Sequence, residues 1–324
     1  MQPSDMAELA QEVRVRLAAE HGSTFAIVGH TPEAYELVEL FASRGVRDRL
    51  LGIFDASIQS GDARLAGHPL LRPLAELRAA APGVLVVASD AEKERLLRDA
   101  APFVGASTAV LFAGYSHFEF HDATLDGILQ ESLVPSLANG YPHTLVHIYQ
   151  CLQNAARLNL DGIVAEFGMF KGGTTMVLAR VVEALGRSWR VIGFDTFAGF
   201  PPRRSVLDMY AHPGCVFHDE QTVRRYLSGR NVEIVSGDIC ETAARLKDER
   251  VLLAFIDTDN HTSALAAIDA VRENVPVGGA IVFDHFTGRR RFKYTLGERM
   301  AAAQLLEDPR YFNLHDTGVF MRQR

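Results

Sequence analysis

The sequence has no run of about 18 apolar residues, and its N-terminal segment, MQPSDMAELAQEVRVRLAAEHG, has no apolar signal core. Basic charge is also lacking: the net charge is −7 at pH 7, whereas general nucleic-acid binders usually carry a basic surface. Cysteine is scarce, and Cys151, Cys215 and Cys240 form no paired metal-binding spacing. We therefore expect a soluble, cytoplasmic protein with reduced thiols that binds neither nucleic acid nor a membrane.

The chain has enough residues and apolar side chains for two domains. It contains 324 residues, of which 48% are hydrophobic. Residues 1–115 predict a Rossmann-like α/β accessory domain, with strands at 23–29, 50–55, 84–88 and 109–113 and helices at 32–44 and 92–100. The first strand-to-helix turn, VGHTPE, lacks G-x-G-x-x-G. Dinucleotide binding by this unit is therefore weakly supported, and a structural or docking role is the alternative.

The remaining residues predict a connector and a second α/β domain. Residues 116–160 predict a helical connector with an amphipathic helix at 144–158, and residues 161–324 predict the domain. Its strands are expected at 163–167, 190–194, 232–235, 251–256 and 280–283, and its helices at 174–186, 219–228, 261–273 and 295–307. Five alternating strands and a terminal hairpin predict a doubly wound, Rossmann-like sheet.

The segment AEFGMFKGGTT joins the first strand of the second domain to a helix. Such a junction is where α/β proteins usually bind nucleotide-like ligands. An acidic residue also stands at the end of each of the five strands: Glu166, Asp195, Asp238, Asp257 and Asp284. One such residue is often a helix cap or a turn residue. Five in order suit a ligand with hydroxyls, amines and a positive centre, such as S-adenosylmethionine.

Residues 140–324 resemble the macrocin O-methyltransferase family, a class I group of S-adenosylmethionine-dependent enzymes. The resemblance is carried by EFGMFKGGTT, FDTFAGFP, HDEQTVRRYL, SGDICET, IDTDNHTSALAAID, VPVGGAIVFDHF and the run YPHTLVHIYQCLQNAARLNLDGIVAEFG. It implies an O-methyltransferase that acts on a hydroxyl of a small molecule, such as a sugar or natural-product intermediate in antibiotic or other secondary metabolism. The first 115 residues lie outside the resemblance.

The resemblance also implies which residues contact the cofactor. These are Glu166, Gly168, Phe170, Gly172, Gly173, Thr174, Thr175, Asp195 and Asp238. The glycines let the backbone bend sharply and approach the methionyl part of the cofactor, and the two threonines donate to its carboxylate. Glu166 accepts from the ammonium group, Asp195 holds the ribose hydroxyls and Asp238 meets the adenine amine.

In the family, a D-x-D motif and a later D-D pair hold a divalent ion, usually Mg²⁺. The first motif is present as Asp257-Thr258-Asp259, but the second is Asp284-His285, and His261 stands where the family usually has tyrosine. Because Mg²⁺ prefers oxygen ligands, three alternatives are open. An ion is held by Asp257, Asp284 and water, or His285 ligates a softer ion, or His285 is the base and no metal is needed. As a base, His285 would titrate in the ordinary range of about 6.5.

The candidate metal ligands are therefore Asp257, Asp284 and His285, and the candidate catalytic residues are His285, Asp257 and His261. The long connection from Pro201 to Asp219 predicts a lid over the acceptor, to which Arg203, Arg204, Tyr210 and His212 could contribute contacts. The basic run Gly288–Lys293 predicts either an anion-binding patch or a solvated face.

Three classes of function follow from the sequence. The first is an S-adenosylmethionine-dependent O-methyltransferase with a small hydroxylated acceptor and Mg²⁺. The second is an NAD-linked oxidoreductase with two Rossmann-like units, which the lack of a full G-x-G-x-x-G in either unit disfavours. The third is a non-catalytic S-adenosylmethionine-binding module. We also expect the protein to be a homo-oligomer.

Overall fold

The chain folds into two compact units, Met1–Phe120 and His121–Arg324. The computed structural model describes residues 3–19, 22–59, 70–140, 143–287, 293–315 and 317–324. Within these ranges, no helix is both long enough and apolar enough to span a bilayer.

The first unit is a parallel sheet covered by helices on both faces. Its elements are α1 (Pro3–Ala19), β1 (Phe25–Val28), α2 (Pro32–Ser43), β2 (Leu50–Asp55), β3 (Leu71–Pro73), α3 (Leu77–Ala80), β4 (Val84–Val87), α4 (Lys93–Ala100) and β5 (Ala109–Leu111). The strand order is β3-β2-β1-β4-β5, and each described pair is parallel. The sequence did not predict β3, because three residues that end in proline give no strand periodicity.

The core of the first unit lies on both faces of its sheet. Phe25 and Ile27 face one hydrophobic cluster, and Ala26 and Val28 face the other. Both faces are buried, as the continuous apolar strands predict. The turn after β1 is followed by α2, at whose first turn the Thr31 hydroxyl accepts from the backbone N–H of Ala34.

The second unit contains the larger sheet. Its elements are α5 (Ala123–Gln130), α6 (Thr144–Arg157), β6 (Ile163–Phe167), α7 (Gly173–Ala184), β7 (Arg190–Asp195), α8 (Glu220–Tyr226), β8 (Val232–Ser236), α9 (Ile239–Thr242), β9 (Val251–Ile256), α10 (His261–Val271), β10 (Ala280–Phe283), α11 (Leu296–Glu307), β11 (Tyr311–Asn313) and β12 (Val319–Arg322). The strand order is β11-β12-β10-β9-β6-β7-β8.

This order confirms the predicted doubly wound sheet with a terminal hairpin. The five strands β6–β10 are parallel, and β12 is antiparallel to β10 and to β11. The chain passes from β6 outward to β7 and β8, then returns to β9 on the other side of β6. The order therefore reverses between β6 and β9, which is where open α/β sheets bind their ligands.

Helices α5 and α6, from the segment predicted as a connector, belong to the core of the second unit. Leu125 of α5 and Leu152 of α6 are buried in the same cluster as Val164 of β6. The opposite face of the sheet packs against α9, α10 and α11 through Ala165 and Phe167. Helices therefore cover both faces and leave the carboxyl ends of the strands as the place for a site.

Candidate active site

A cavity of about 460 Å³ opens at the carboxyl ends of the parallel strands in the second unit. Its walls include the turn after β6, the ends of β7, β9 and β10, and the connection that follows β7. Of the predicted cofactor residues, six line it: Glu166, Gly168, Phe170, Gly173, Thr174 and Asp195. Among the described lining residues, Gly172, Thr175 and Asp238 do not appear.

The three glycines of the turn are required by the protein backbone itself. A Cβ atom on Gly168 would lie 2.0 Å from the carbonyl oxygen of Asp257, and one on Gly173 would lie 2.3 Å from that of Pro135. Gly172, the N-cap of α7, has a φ of +77°, a conformation that side chains disfavour. The sequence interpretation gave these glycines two uses, a sharp bend of the backbone and a close approach to the cofactor. The positive φ of Gly172 fits the bend, and the close contacts of Gly168 and Gly173 are with other segments of the chain.

Glu166 is a buried carboxylate at the end of β6. Its side chain is 1% exposed, and one of its oxygens accepts from the hydroxyl of Thr175. Burial raises the pKa of Glu166 to about 8, although the hydrogen bond from Thr175 lowers it. The predicted role of Thr175 as a donor to a ligand therefore changes, since its hydroxyl bonds to Glu166. The hydroxyl of Thr174 lies 2.7 Å from that of Ser136.

Asp195 ends β7 and holds two strained residues. Its carboxylate accepts from the backbone N–H of Phe170 at 2.7 Å and of Phe197 at 2.8 Å. Both phenylalanines have a positive φ, +49° and +51°, which is unusual for a residue other than glycine. Burial raises the pKa of Asp195 despite these hydrogen bonds. Each oxygen still has a lone pair for a ligand hydroxyl, since each accepts one of these two bonds.

Asp238 lies at the start of a helix and in an ion pair. It caps α9 by accepting from the backbone N–H of Cys240 at 2.9 Å, and its other oxygen lies 2.8 Å from Nη2 of Arg204. Asp238 is therefore a helix cap, which is the alternative role that the sequence offers for a strand-end acidic residue. Arg204, which the sequence predicted to contact the methyl acceptor, forms this ion pair with Asp238.

Three side chains at the ends of β9 and β10 form a cluster that could hold a metal ion: Asp257, Asp259 and His285. The Nε2 atom of His285 lies 3.0 Å from Oδ1 of Asp259 and 3.5 Å from Oδ1 of Asp257. Burial would lower the pKa of His285, but the hydrogen bond to Asp259 and the surrounding carboxylates raise it to about 9. Burial, then the charges of Asp284 and Asp259, raise the pKa of Asp257 well above its usual range.

Asp284 has different partners from those predicted. Its side chain is 1% exposed and accepts from the backbone N–H of Asn139, at 2.9 and 3.1 Å, and of Gly140, at 2.9 Å. Its Oδ2 atom lies 3.7 Å from Nε2 of His285. Asp284 therefore anchors the segment before α6 to the end of β10, whereas the cluster with metal-ligand spacing contains Asp259 in its place.

Glu298 is a site residue that the sequence motifs missed. It lies on α11 with an exposed fraction of 0%. Its Oε2 accepts from the N–H of Thr258 and of Asp259, and its Oε1 accepts from the N–H of His285. Burial raises the pKa of Glu298 to about 7. A signal was present, because Glu298 occupies the apolar face of α11 at helical spacing with the buried Ala301, Ala302 and Leu305.

The connection between β7 and α8 forms one wall of the cavity. Tyr210 and His212 line it, as does Cys215. Two contacts attach the connection to α10: the buried Asp208 accepts from the N–H and the hydroxyl of Thr262, and Tyr210 exchanges backbone hydrogen bonds with the side chain of Asn260. The predicted acceptor contact Arg203 does not appear among the described lining residues.

Two further sequence interpretations concern His261 and the basic run at 288–293, and Lys171 is an additional charged residue at the cavity. His261, a predicted catalytic residue, begins α10 and does not appear among the described residues that line the cavity. Lys171 does line it, with Nζ 4.9 Å from the ring centroid of Phe170 and 5.4 Å from that of Phe217. The basic run predicted at 288–293 lies outside the described residues except for Lys293.

Residues 165–286 match the family model described as a methyltransferase domain. The matched range begins in β6 and extends just beyond β10, so it contains the glycine-rich turn and the cluster around His285. The match confirms the prediction of a methyltransferase, while the narrower macrocin family stays a prediction. No curated protein matches the sequence.

Several solved structures are similar in fold. The structure of the O-methyltransferase NovP is 19% identical, with a TM-score of 0.47, and the similarity covers 56% of this chain and 79% of that one. The calicheamicin methyltransferase CalS11 is 20% identical, with a TM-score of 0.45, and coverage is 65% and 97%. A putative caffeoyl-CoA O-methyltransferase from Staphylococcus aureus is 16% identical, with a TM-score of 0.40 and coverage of 64% and 94%.

Proposed function

We propose that this protein is an S-adenosylmethionine-dependent O-methyltransferase that acts on a hydroxyl of a small molecule, such as a sugar or a natural-product intermediate. One observation carries the proposal. Within the segment that matches a methyltransferase domain, a single cavity brings the buried Glu166 beside the cluster of Asp257, Asp259 and His285. The carboxylate would bind the ammonium group of the cofactor, and the cluster would assist removal of the proton that the acceptor hydroxyl loses as it is methylated.

The cofactor end of the cavity suits S-adenosylmethionine. Glu166 accepts one described hydrogen bond from a hydroxyl and is nearly inaccessible to water. The positive charge of a ligand ammonium group would therefore stabilise its carboxylate in place of the water that burial excludes. Asp195 stands on the neighbouring strand, where it can accept from ribose hydroxyls. When bound, the cofactor supplies a methyl group on a sulfonium, which is open to in-line attack by an acceptor oxygen.

The ligand set suits a divalent cation softer than Mg²⁺. Two carboxylates and an imidazole offer donor atoms that all lie within 4.8 Å of one another. A donor set of oxygen and nitrogen atoms is usual for Mn²⁺, Fe²⁺, Co²⁺ or Zn²⁺, whereas Mg²⁺ prefers oxygen alone. Asp257, Asp259 and His285 would hold the ion, which would lower the pKa of a bound hydroxyl.

The same three residues can act on the acceptor proton without an ion. Because the pKa of His285 is raised to about 9, its imidazole is a cation at neutral pH and cannot accept a proton there. The Oδ1 atom of Asp259 lies 3.0 Å from that imidazole and is the alternative acceptor for the proton of the hydroxyl. His285 would then orient this carboxylate and balance its charge.

The two remaining functions are distinguished by ligand binding. An NAD-linked oxidoreductase would bind NAD, and a non-catalytic module would bind S-adenosylmethionine without turnover. Isothermal calorimetry with each cofactor, followed by transfer of an isotopically labelled methyl group to a panel of free sugars, nucleotide sugars and phenols, separates them. Binding of NAD alone, or binding of S-adenosylmethionine without transfer to any acceptor, contradicts the proposal.

We also propose that the protein is a cytoplasmic homo-oligomer. The argument for self-association is the exposure of large apolar side chains in the second unit, among them Leu296 and Met300 of α11 and Phe312 of the edge strand β11. Light scattering on the purified protein measures the mass directly, and the mass of a single chain across the accessible concentration range contradicts this proposal.

A further inference from the structure

Glu298 forms hydrogen bonds to two loops that contain candidate metal ligands and that follow different strands. Thr258 and Asp259 follow β9, and His285 follows β10. Their N–H groups lie 2.9, 2.8 and 3.0 Å from the Glu298 carboxylate. One buried side chain on α11 therefore accepts from both loops at once, with each of its oxygens assigned to a different loop.

The bond to Asp259 supports an unfavourable backbone conformation. Asp259 has a φ of +60°, which costs free energy for a residue with a side chain, although aspartate tolerates it better than most. A conformation of this kind persists where surrounding contacts hold it in place. Glu298 supplies such a contact, and the conformation directs Oδ1 of Asp259 to within 3.0 Å of His285.

The helix that carries Glu298 is itself closely fitted at this point. A Cβ atom on Gly297 would lie 2.2 Å from the carbonyl oxygen of Leu207 and 3.0 Å from the backbone nitrogen of His261. The start of α11 therefore packs directly on the connection after β7 and on α10. This packing fixes the position of the Glu298 carboxylate relative to the cavity.

We infer that Glu298 is a positioning residue for methyl transfer, which acts by setting the distance between Asp259 and His285. The inference rests on the proposed function, because the pair matters for turnover only if the acceptor proton is removed there. Glu298 is fully buried and does not appear among the described residues that line the cavity, so we assign it no contact with a ligand. Its effect on the reaction is through the geometry of the two side chains that do.

Glu298→Gln tests the inference, because the amide keeps the shape but presents an NH₂ group where one carboxylate oxygen accepted. We expect kcat to fall by about 100-fold, the scale associated with a displacement of about 1 Å, while the Kd of S-adenosylmethionine changes by less than about 3-fold. Glu298→Asp keeps the charge and should recover part of the lost kcat. Leu305→Ala, on the buried face of the same helix, is the matched control for destabilisation and should keep kcat per folded molecule.

A second measurement does not depend on an acceptor. Protein labelled with ¹⁵N at histidine, with the His285 signal assigned by its loss in His285→Gln, reports the environment of the imidazole. The signal should shift in Glu298→Gln and stay in place in Leu305→Ala. Unchanged kcat and an unchanged His285 signal in Glu298→Gln overturn the inference. If the wild type transfers methyl to no acceptor, the proposed function fails. The His285 signal alone then still decides whether Glu298 positions His285 relative to Asp259.

Discussion

His285 lies closer to Asp259 than to Asp257, although Asp259 and His285 follow two different strands: its Nε2 is 3.0 Å from Oδ1 of Asp259 and 3.5 Å from Oδ1 of Asp257. Because the pKa of His285 is raised to about 9, its imidazole holds a proton at neutral pH when no ion is bound. A cation that takes both side chains as ligands has to displace that proton, so metal affinity must rise with pH.

The first prediction concerns the ion. If Asp257, Asp259 and His285 hold it, chelation should abolish turnover and change the Kd of S-adenosylmethionine by less than about 2-fold, because the proposed cofactor contacts are those of Glu166 and Asp195. His285→Asp gives an all-oxygen set and should shift the metal preference toward Mg²⁺. Turnover of the chelated and the reloaded enzyme, measured with each divalent ion, checks both statements.

The second prediction concerns pH in the absence of an ion. If His285 is the base, activity should survive chelation and rise with pH through about 9, because the imidazole accepts a proton only after it has lost its own. The sequence alone placed this rise near 6.5, since it could not show the carboxylates around the ring. A pH–rate profile of the chelated enzyme separates the two values, and His285→Asp should be nearly inactive. Full activity in both chelated enzyme and His285→Ala would defeat both accounts.

The third prediction concerns the ribose site. Asp195→Ala should weaken binding of S-adenosylmethionine by about 1–3 kcal/mol, since it leaves a ligand hydroxyl and two backbone N–H groups without their acceptor. Asp219→Ala is a matched control, because Asp219 also accepts backbone and side-chain hydrogen bonds at a helix start but does not appear among the described cavity residues. Calorimetry should show a loss of affinity for the first variant alone. Equal affinity for a folded Asp195→Ala removes this residue from the site.

The fourth prediction concerns the proton on Glu166. Its pKa is raised from 4.5 to about 8, so the free folded protein holds this proton between those values and loses stability as the pH rises through that interval. The ligand ammonium favours the ionised carboxylate, so binding near pH 6.5 should release about one proton. Calorimetry in buffers of different ionisation enthalpy measures the release. Glu166→Gln should bind more weakly and release none, and equal release from both proteins would assign the proton to another group.

The fifth prediction concerns the division of labour between the units. A chain of residues 121–324 should bind S-adenosylmethionine, because all the described cavity residues belong to the second unit. Its Kd is measured by calorimetry and compared with that of the full chain. If the shorter chain folds but has lost cofactor binding, the assignment of the site to the second unit alone is wrong.

The sequence predicted the larger fold features well because each has a local cause. The strands β9 and β10 are continuous apolar runs followed by an acidic residue, and β6 is an apolar run that contains Glu166 and is followed by glycine. The structure gives all three strands the predicted bounds. The same pattern located Glu166 and Asp257 at the carboxyl edge of the sheet. Such features depend on neighbours in the chain, which a sequence displays directly.

The contacts of the acidic residues could not be predicted in the same way. Asp284 bonds to Asn139 and Gly140, and Asp238 bonds to Arg204, in each case a partner distant in the chain. Whether a strand-end carboxylate contacts a ligand or accepts from backbone N–H groups depends on which distant segment of the chain packs beside it. Glu298 shows the converse, because its three partners lie in motifs that the sequence identified, while the residue itself lies outside them.

The two units have separate hydrophobic cores, and this affects how the protein responds to heat. Phe41 and Leu77 pack in clusters made only of residues from the first unit, and Leu152 and Ile268 in clusters made only from the second. A single melting temperature is therefore not a well-defined property of this chain. Scanning calorimetry should give two transitions, and only the one that belongs to the second unit should move upward when S-adenosylmethionine is added.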